Sequence, residues 1–277
     1  MTKKMKKLMV ISAVIFGIGL ILCLIAAISV DFDFSRLSTA VYEKKTKVIN
    51  TEFDEIDIQD MSDSVELKPS DDGKCKIIYY DSNKIIHNID ISEGILKIKA
   101  EYRNWTSYIF NINIGRDMII YLPEKEYEKL YISTVGGNIN MEKFAFEDTE
   151  LHTVSGNISA YGSGEVKIST TSGAVDITGK TDNGAEISSV SGDIRLNKFI
   201  SESLTIGTAS GDVYLDMSDA DKINISTVSG DVGGDLLGDK EIHTDTVSGY
   251  INVPKSVNGK ALCEIHTTSG NIILENK

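Results

Sequence analysis

Residues 189–194 read Ser-Val-Ser-Gly-Asp-Ile, and variants of this phrase, [ST]-x-[SG]-G-x-[IV], occur eight times between residues 134 and 272. Neighbouring copies are 17 to 21 residues apart, most often 19. A period near 20 residues without a helical pattern is typical of a solenoid, in which one supersecondary unit stacks on the next. The motif glycines are Gly137, Gly156, Gly173, Gly192, Gly211, Gly230, Gly249 and Gly270.

Apolar and polar residues alternate on both sides of each Ser-Gly pair. In the fourth copy, Ile187 precedes the glycine by five residues, and Ile194 and Leu196 follow it by two and four. This period of two indicates strands with one buried face. We predict an all-β, single-chain parallel β-solenoid of about 19-residue coils, each with two short strands and stacked in chain order. We expect its crossovers to be right-handed.

When the eight copies are aligned on their glycines, each aligned position forms a column. Two of these columns have structural explanations. A threonine or serine stands three residues before each glycine. We expect its hydroxyl to face inward and to bond another hydroxyl or the bend, because a buried hydroxyl without a partner is destabilising. We expect the glycine at a backbone angle that a Cβ would penalise.

An uncharged run of 23 residues, Leu8–Val30, follows four lysines within residues 1–7. This length is enough to cross a hydrocarbon core of about 30 Å and is too long for the apolar region of a cleaved signal peptide. We predict a cytoplasmic tail at residues 1–7 and one transmembrane helix at residues 8–30. Because the lysines precede the run, and Asp31 and Asp33 follow it, we expect a single-pass cell-membrane protein with extracellular repeats.

The rest of the chain divides by its strand pattern. Residues 31–47 are predicted to be a linker. Residues 48–125 contain strand-like runs without the motif, and we expect irregular coils or a cap that shields the first edge of the solenoid. Residues 126–277 are predicted to form the regular repeats.

Charge and cysteine content narrow the classes of partner. The chain has 41 acidic and 28 basic residues, and its formal net charge of −13 is unfavourable for nucleic acid or an anionic lipid surface. Three cysteines, one of them Cys23 in the apolar run, give no disulfide framework. The expected partners are the membrane through its spanning helix, and a cell-wall polymer or another envelope protein.

The residue after each motif glycine forms a third column, in which Asp193, Asp212 and Asp231 are consecutive. Carboxylates stacked about 5 Å apart repel one another unless cations or backbone amides compensate them. A row of calcium ions is one interpretation. Side chains that cap the turns are the other, which also explains the asparagines in this column. We favour the second interpretation and predict neither a metal nor a cofactor.

The only tryptophan, Trp105, lies in an aromatic cluster with Tyr102, Tyr108 and Phe110. Exposed rings of this kind bind sugars or a partner protein, whereas packed rings would join the cap to the first coil, which is the interpretation we favour. Trp105 and the three aspartates are therefore the binding candidates.

Residues for catalysis are not apparent in the sequence. The four histidines lack a metal-ligand spacing, and the nucleophile motif G-x-S-x-G does not occur. Carboxylates are numerous, but no pair suited to glycoside hydrolysis stands out. We predict a protein that is not an enzyme, with a polysaccharide-active β-helix enzyme as a remote alternative.

The segment Ile120-Tyr121-Leu122-Pro123, followed by Leu130-Tyr131-Ile132 and the repeated T-x-S-G-[DN]-[IV], resembles the bacterial DUF4097 family, whose members are also labelled adhesins. The resemblance covers roughly residues 48–277. It implies a β-solenoid, often beside an N-terminal membrane helix, and it carries over no catalytic residues. Gly136, Ala174 and Tyr250 depart from the motif at single positions.

Together these features predict a non-catalytic, membrane-anchored extracellular solenoid that acts as an adhesin or a cell-envelope binding protein. Repeated outward positions along a rod form an extended binding surface. The alternative is an accessory or sensor subunit of an envelope-stress response, which would act through a membrane partner.

Overall fold

A computed structural model describes residues 41–103, 116–258 and 260–277, together with residue 28. Within these ranges 21 strands form one sheet that is largely parallel, and the all-β prediction is confirmed. The strands are β1 (Tyr42–Ile49), β2 (Glu55–Gln59), β3 (Ser64–Pro69), β4 (Cys75–Ser82), β5 (Ile85–Ser92), β6 (Ile95–Tyr102), β7 (Asp117–Leu122), β8 (Glu126–Ser133), β9 (Ile139–Met141), β10 (Ala145–Thr153), β11 (Ile158–Gly162), β12 (Glu165–Thr170), β13 (Val175–Lys180), β14 (Gly184–Ser189), β15 (Ile194–Thr208), β16 (Val213–Thr227), β17 (Val232–Leu236), β18 (Lys240–Thr246), β19 (Ile251–Asn252), β20 (Ala261–Thr267) and β21 (Ile272–Asn276).

Each coil consists of a strand, a Ser-Gly bend and a second strand. In the fourth motif copy, β14 buries Ile187 and Ser189 before the bend, and β15 buries Ile194 and Leu196 after it. The residues between them face outward, as the period of two requires. The next coil pairs in parallel register, β14 with the second half of β15 and the first half of β15 with β16. Repetition of this pairing gives the predicted solenoid-like stack with an apolar interior.

At the C-terminal end the coils do not stack in chain order, so the sequential prediction is wrong there. β16 and β17 pair with β20 and β21, and β18 and β19 pair with the opposite edges of those two strands. The last coil along the chain, Ala261–Asn276, therefore lies between two earlier coils. Because every copy of the motif presents the same bend and the same apolar columns, the motif alone does not determine which copies become neighbours.

The N-terminal end has the same arrangement. The coil of β2 and β3 lies between the coil of β6 and β7 and that of β8 and β9. Three antiparallel strands complete this end: β5 pairs with β6, β4 pairs with β7, and β1 pairs with β4. We call β1, β4 and β5 the cap, because they cover strand edges that would otherwise be open to another chain.

The predicted linker, residues 31–47, is corrected in its last part by the position of β1, and its residues 31–40 lie outside the described residues. This strand begins at Tyr42 and pairs with β4 along its whole length, so residues 42–47 belong to the sheet. The predicted tail and transmembrane helix, residues 1–30, lie outside the described residues apart from residue 28. In the part of the chain that the structure describes, no helix has the length and apolar character that crossing a membrane requires.

The hydroxyl column is inward-facing and bonds the bend, as expected. Thr153, for example, is buried, and its hydroxyl accepts the backbone N–H of Gly156 at 3.0 Å. The same hydroxyl donates to the carbonyl oxygen of Gly137 in the neighbouring coil at 3.3 Å. One side chain thereby closes its own bend and connects two layers.

The motif glycines have a different role from the one expected. None of the eight has a left-handed backbone angle. A Cβ on Gly192 would instead lie 1.8 Å from the carbonyl oxygen of Gly173 in the next layer, and the corresponding distances at the other seven are 1.7–2.0 Å. Glycine is required because successive bends approach so closely that a side chain has no room.

Candidate functional site

The predicted aspartate row connects neighbouring layers. Oδ1 of Asp193 accepts the backbone N–H of Asp212 at 3.1 Å, and Oδ1 of Asp212 accepts that of Asp231 at 2.8 Å. After Asp231 the row follows the order in which the layers are stacked, which differs there from the order of the residues in the chain. Oδ1 of Asp231 accepts the N–H of Asn271 at 2.7 Å, and Oδ1 of Asn271 accepts that of Tyr250 at 3.0 Å.

The second oxygen of each aspartate in the row also has a protein donor. These contacts are Arg195 Nη2 to Asp193 Oδ2 at 3.0 Å, Tyr214 hydroxyl to Asp212 Oδ2 at 3.1 Å, and Asn271 Nδ2 to Asp231 Oδ2 at 3.3 Å. Protein donors thus compensate the stacked carboxylates. The other predicted binding candidate, Trp105, lies outside the described residues.

A second group of titratable side chains is buried where the β2–β3 coil meets the cap. Asp60 and Asp63 lie in the bend between β2 and β3, His87 is on the inward face of β5, and Asp81 is near the end of β4. Their side chains are only 1–9% exposed. We call these four residues the Asp–His cluster.

The imidazole of His87 is at the centre of the Asp–His cluster. Its Nε2 lies 2.9 Å from Oδ2 of Asp60 and 3.6 Å from Oδ2 of Asp63. Its Nδ1 lies 3.1 Å from Oδ1 of Asp81, which also accepts the backbone N–H of His87 at 2.8 Å. The remaining oxygen of Asp81 accepts a hydrogen bond from Nζ of Lys45 at 2.8 Å.

Backbone hydrogen bonds orient the two bend aspartates. Oδ1 of Asp60 accepts the N–H groups of residues 61–63 at 2.6–2.9 Å, and Oδ1 of Asp63 accepts the N–H of Arg116 at 2.8 Å. These bonds hold one oxygen of each carboxylate at the bend. The other oxygen of each faces Nε2 of His87.

Burial and mutual charge shift the pKa values in the Asp–His cluster. Burial, with the neighbouring Asp60 carboxylate, raises the pKa of Asp63 to about 7. Burial alone would lower the pKa of His87, but its hydrogen bond with Asp60 and the charges of Asp60 and Asp63 raise it. Burial opposes ionisation of Asp60, yet hydrogen bonds from His87 and the backbone hold the pKa of Asp60 below its usual range.

The cluster has the composition of a small-ion site. One atom from each of Asp60, Asp63 and His87 lies within 4.8 Å of the others, and all three residues are buried. Imidazole nitrogen together with carboxylate oxygen suits divalent transition-metal ions.

Sequence reasoning missed this cluster because it compared the histidines only with one another. The partner of His87 is Asp60, 27 residues earlier, and the two meet although β6 lies between their strands in the sheet. One local signal existed. His87 occupies an inward position between Ile85 and Ile89 on a strand with one buried face, where a polar residue requires a partner.

A row of apolar side chains is exposed on the opposite side of the motif bend from the core. The residue two before the glycine is a valine in five copies, with 44–81% of each residue exposed. These residues, which we call the valine row, are Val135, Val154, Val190, Val228 and Val247. The backbone beneath them is rigidly paired: the carbonyl of Val154, for instance, accepts the N–H of Ser172 at 2.9 Å.

The fold and the cluster define a capped, largely parallel β-solenoid with a buried Asp–His cluster under its cap. The chain belongs to the DUF4097 family, because the family model described as Toastrack DUF4097 matches residues 53–277. The family resemblance seen in the sequence is thereby confirmed.

Solved structures of low sequence identity share this fold. A "putative lipid binding protein" from Parabacteroides distasonis is 17% identical with a TM-score of 0.54, and the match covers 84% of this chain and 97% of that one. A "putative adhesin" from Parabacteroides merdae is 14% identical with a TM-score of 0.50, covering 86% and 98%. At these identities the likeness shows the fold alone. Among curated proteins, none matches this chain.

Proposed function

We propose that this chain is a non-catalytic binding protein of the cell surface, in which residues 8–30 anchor the solenoid to the membrane and the repeats bind a cell-envelope polymer. The valine row is the observation that carries the proposal. A valine that is about half exposed contributes little to the core, so packing does not account for its recurrence at this position. In stacking order the valines lie on adjacent or alternate layers, with Thr171, Ala209 and Thr268 at the same position in the layers between them. Apolar side chains grouped on a soluble surface are a feature of interaction sites.

The geometry of the bend suits an extended ligand. Adjacent layers of a parallel sheet are about 4.8 Å apart, so valines on adjacent or alternate layers recur along the rod in the same orientation. Its backbone is paired from layer to layer, for example through Ser210 N–H to the Val190 carbonyl at 2.9 Å. A rigid surface of this kind loses little conformational entropy when a polymer binds.

The charge pattern supports the proposed location. Lysines precede the uncharged run and aspartates follow it, which favours an inside N-terminus and external repeats. The names of the structural neighbours, an adhesin and a lipid binding protein, are consistent with a binding role. The aspartate row also fits a non-catalytic role, because the carboxylate of one aspartate accepts the backbone N–H of the next aspartate in the neighbouring layer.

The test is co-sedimentation of the detergent-solubilised full-length chain with isolated bacterial cell walls. We expect saturable pelleting by the wild type and at least about tenfold weaker binding by Val154→Ser/Val190→Ser/Val228→Ser, because three apolar contacts are lost. The matched control is Lys167→Ser/Glu186→Ser/Thr205→Ser. These three residues are exposed on the strands before the bend in three successive layers, the middle one of which contains Val190, and the control should bind like the wild type.

Two results would contradict the proposal. The first is the absence of pelleting, which would favour the sensor alternative if the chain instead co-purifies with a membrane protein. The second is equal loss of binding in both triple variants, which would place the binding surface away from the valine row.

A further inference from the structure

Three side-chain atoms under the cap converge on one point, and each is oriented by a separate outer contact. Asp60 and Asp63 each use Oδ1 to accept backbone N–H groups, which directs Oδ2 toward His87. His87 uses Nδ1 to contact Asp81, which directs Nε2 toward the two bend aspartates. Metal-binding histidines are commonly oriented in this way, with a carboxylate on the nitrogen that does not bind the metal.

The distances suit an ion at the point of convergence. Neighbouring ligands of a tetrahedral ion with bonds of about 2.0–2.1 Å are separated by roughly 3.4 Å. The distances from Nε2 of His87 to the facing oxygens of Asp60 and Asp63 are 2.9 and 3.6 Å, which lie on either side of that value. The facing oxygens of the two aspartates lie within 4.8 Å of each other, so all three atoms can surround one ion.

The charges of the cluster are incompletely balanced by its own residues. Three buried carboxylates, those of Asp60, Asp63 and Asp81, face two cationic groups, His87 and Lys45. Lys45 contacts Oδ2 of Asp81, the oxygen that His87 does not contact. The two bend aspartates therefore share the single charge of His87, and a buried carboxylate without a full partner is strongly disfavoured.

We propose that Asp60, Asp63 and His87 bind a divalent transition-metal ion such as Zn²⁺, with Asp81 positioning the imidazole. The mixed nitrogen and oxygen ligands select this class over Ca²⁺ and Mg²⁺, which prefer oxygen ligands alone. On binding, the ion takes the place of the proton on Nε2 of His87 and of the proton that the neutral form of Asp63 carries, and these protons are released to solvent. The ion joins the β2–β3 bend to cap strand β5, so it stabilises this end of the solenoid.

The test uses the full-length chain in detergent, stripped with a chelator and dialysed. Titration with Co²⁺ is followed by visible absorption, and Zn²⁺ is then added in competition. We expect one equivalent of Co²⁺ to bind, Zn²⁺ to displace it, and Zn²⁺ to raise the melting temperature. Asp63→Asn should weaken binding at least tenfold, whereas Asp90→Asn, an exposed aspartate on the same cap strand as His87, should not change it.

A second measurement does not depend on removing a cluster ligand. In His152→Gln/His243→Gln/His266→Gln, the only imidazole is that of His87, and its ¹⁵N signals report directly on Nε2. We expect one equivalent of Zn²⁺ to shift the Nε2 signal. The proposal is overturned by a chain that binds no ion, by equal binding in Asp63→Asn and the wild type, or by an Nε2 signal that Zn²⁺ leaves unchanged.

Discussion

At the scale of single residues, the motif glycine is the position with the least freedom. Its Cα faces a carbonyl oxygen of the next layer so closely that a Cβ would overlap it. The neighbouring layer is held by ladders on both sides of the bend, so it cannot move away without loss of several backbone hydrogen bonds. The close contact between layers, rather than local backbone strain, therefore makes glycine necessary.

This account predicts that Gly192→Ala lowers the free energy of unfolding by about 3 kcal/mol or more, because its Cβ would overlap the Gly173 carbonyl. Gly207→Ala is the matched control. Gly207 lies in β15, lacks a left-handed angle, and has no atom within 4 Å of the point that a Cβ would occupy. Its replacement should change stability by no more than about 1 kcal/mol. Urea unfolding of both variants measures the difference, and equal effects would contradict the close-contact explanation.

Single columns of the repeat could be predicted well from the sequence. The apolar columns and the inward hydroxyl follow from a period of two, which one chain with eight copies displays repeatedly. The reason for the glycine could not be predicted. A requirement for φ > 0 and a requirement for close approach both select glycine, and only the spacing between layers distinguishes them.

At the scale of elements, the aspartate row bridges successive bends. Asp212 is the clearest case, because its Oδ1 accepts the N–H of Asp231 while its own N–H donates to Asp193. The carboxylate therefore contributes as a hydrogen-bond acceptor, whereas its charge lies beside two like charges. An amide at this position would retain the acceptor and remove the repulsion.

Asp212→Ala should accordingly lower the free energy of unfolding by about 1 kcal/mol, the usual contribution of one such hydrogen bond. Asp212→Asn should be at least as stable as the wild type, because its side-chain carbonyl still accepts from Asp231. Thermal unfolding in the presence of a chelator compares the two without any contribution from bound ions. A loss of stability in Asp212→Asn equal to that in Asp212→Ala would show that the negative charge itself is needed.

The cap explains why the buried Asp–His cluster could not be predicted from the sequence. The structure of one motif copy can be predicted from the other copies. The strands β1, β4 and β5 lack the motif and pair antiparallel, so the repeat does not predict their positions. Nothing in the local pattern around His87 identifies Asp60 as its partner, because that contact depends on how the cap stacks on the β6–β7 coil and the β6–β7 coil on the β2–β3 coil. An inward histidine signals that a polar partner exists without indicating which one.

At the scale of the whole molecule, the two ends of the stack share one feature, although only the N-terminal end carries the antiparallel cap. The first coil of the chain lies beneath the β6–β7 coil and the cap, and the last coil lies beneath the β18–β19 coil, so neither is the outermost layer. Both terminal coils thus have a neighbour on either side. This arrangement protects their backbone hydrogen bonds from fraying, to which terminal residues are otherwise prone.

The stacking order determines both which valines of the row lie on neighbouring layers and the path of the aspartate row, so it is the central claim to test. Ser226, His266 and Asp245 are exposed and lie in register on three successive layers. Stacking in chain order would instead place Ser226 directly beside Asp245. Disulfide formation distinguishes the two arrangements, because it requires Cα atoms closer than about 7 Å.

The most direct measurement is therefore mild oxidation of two double-cysteine variants of the full-length chain, followed by mass spectrometry of non-reduced peptides. We predict a disulfide in Ser226→Cys/His266→Cys, whose positions are register partners. We predict none in Ser226→Cys/Asp245→Cys, whose positions are separated by an intervening layer and thus by about 10 Å. A disulfide in the second variant and not in the first would show that the coils stack in chain order and would contradict the account.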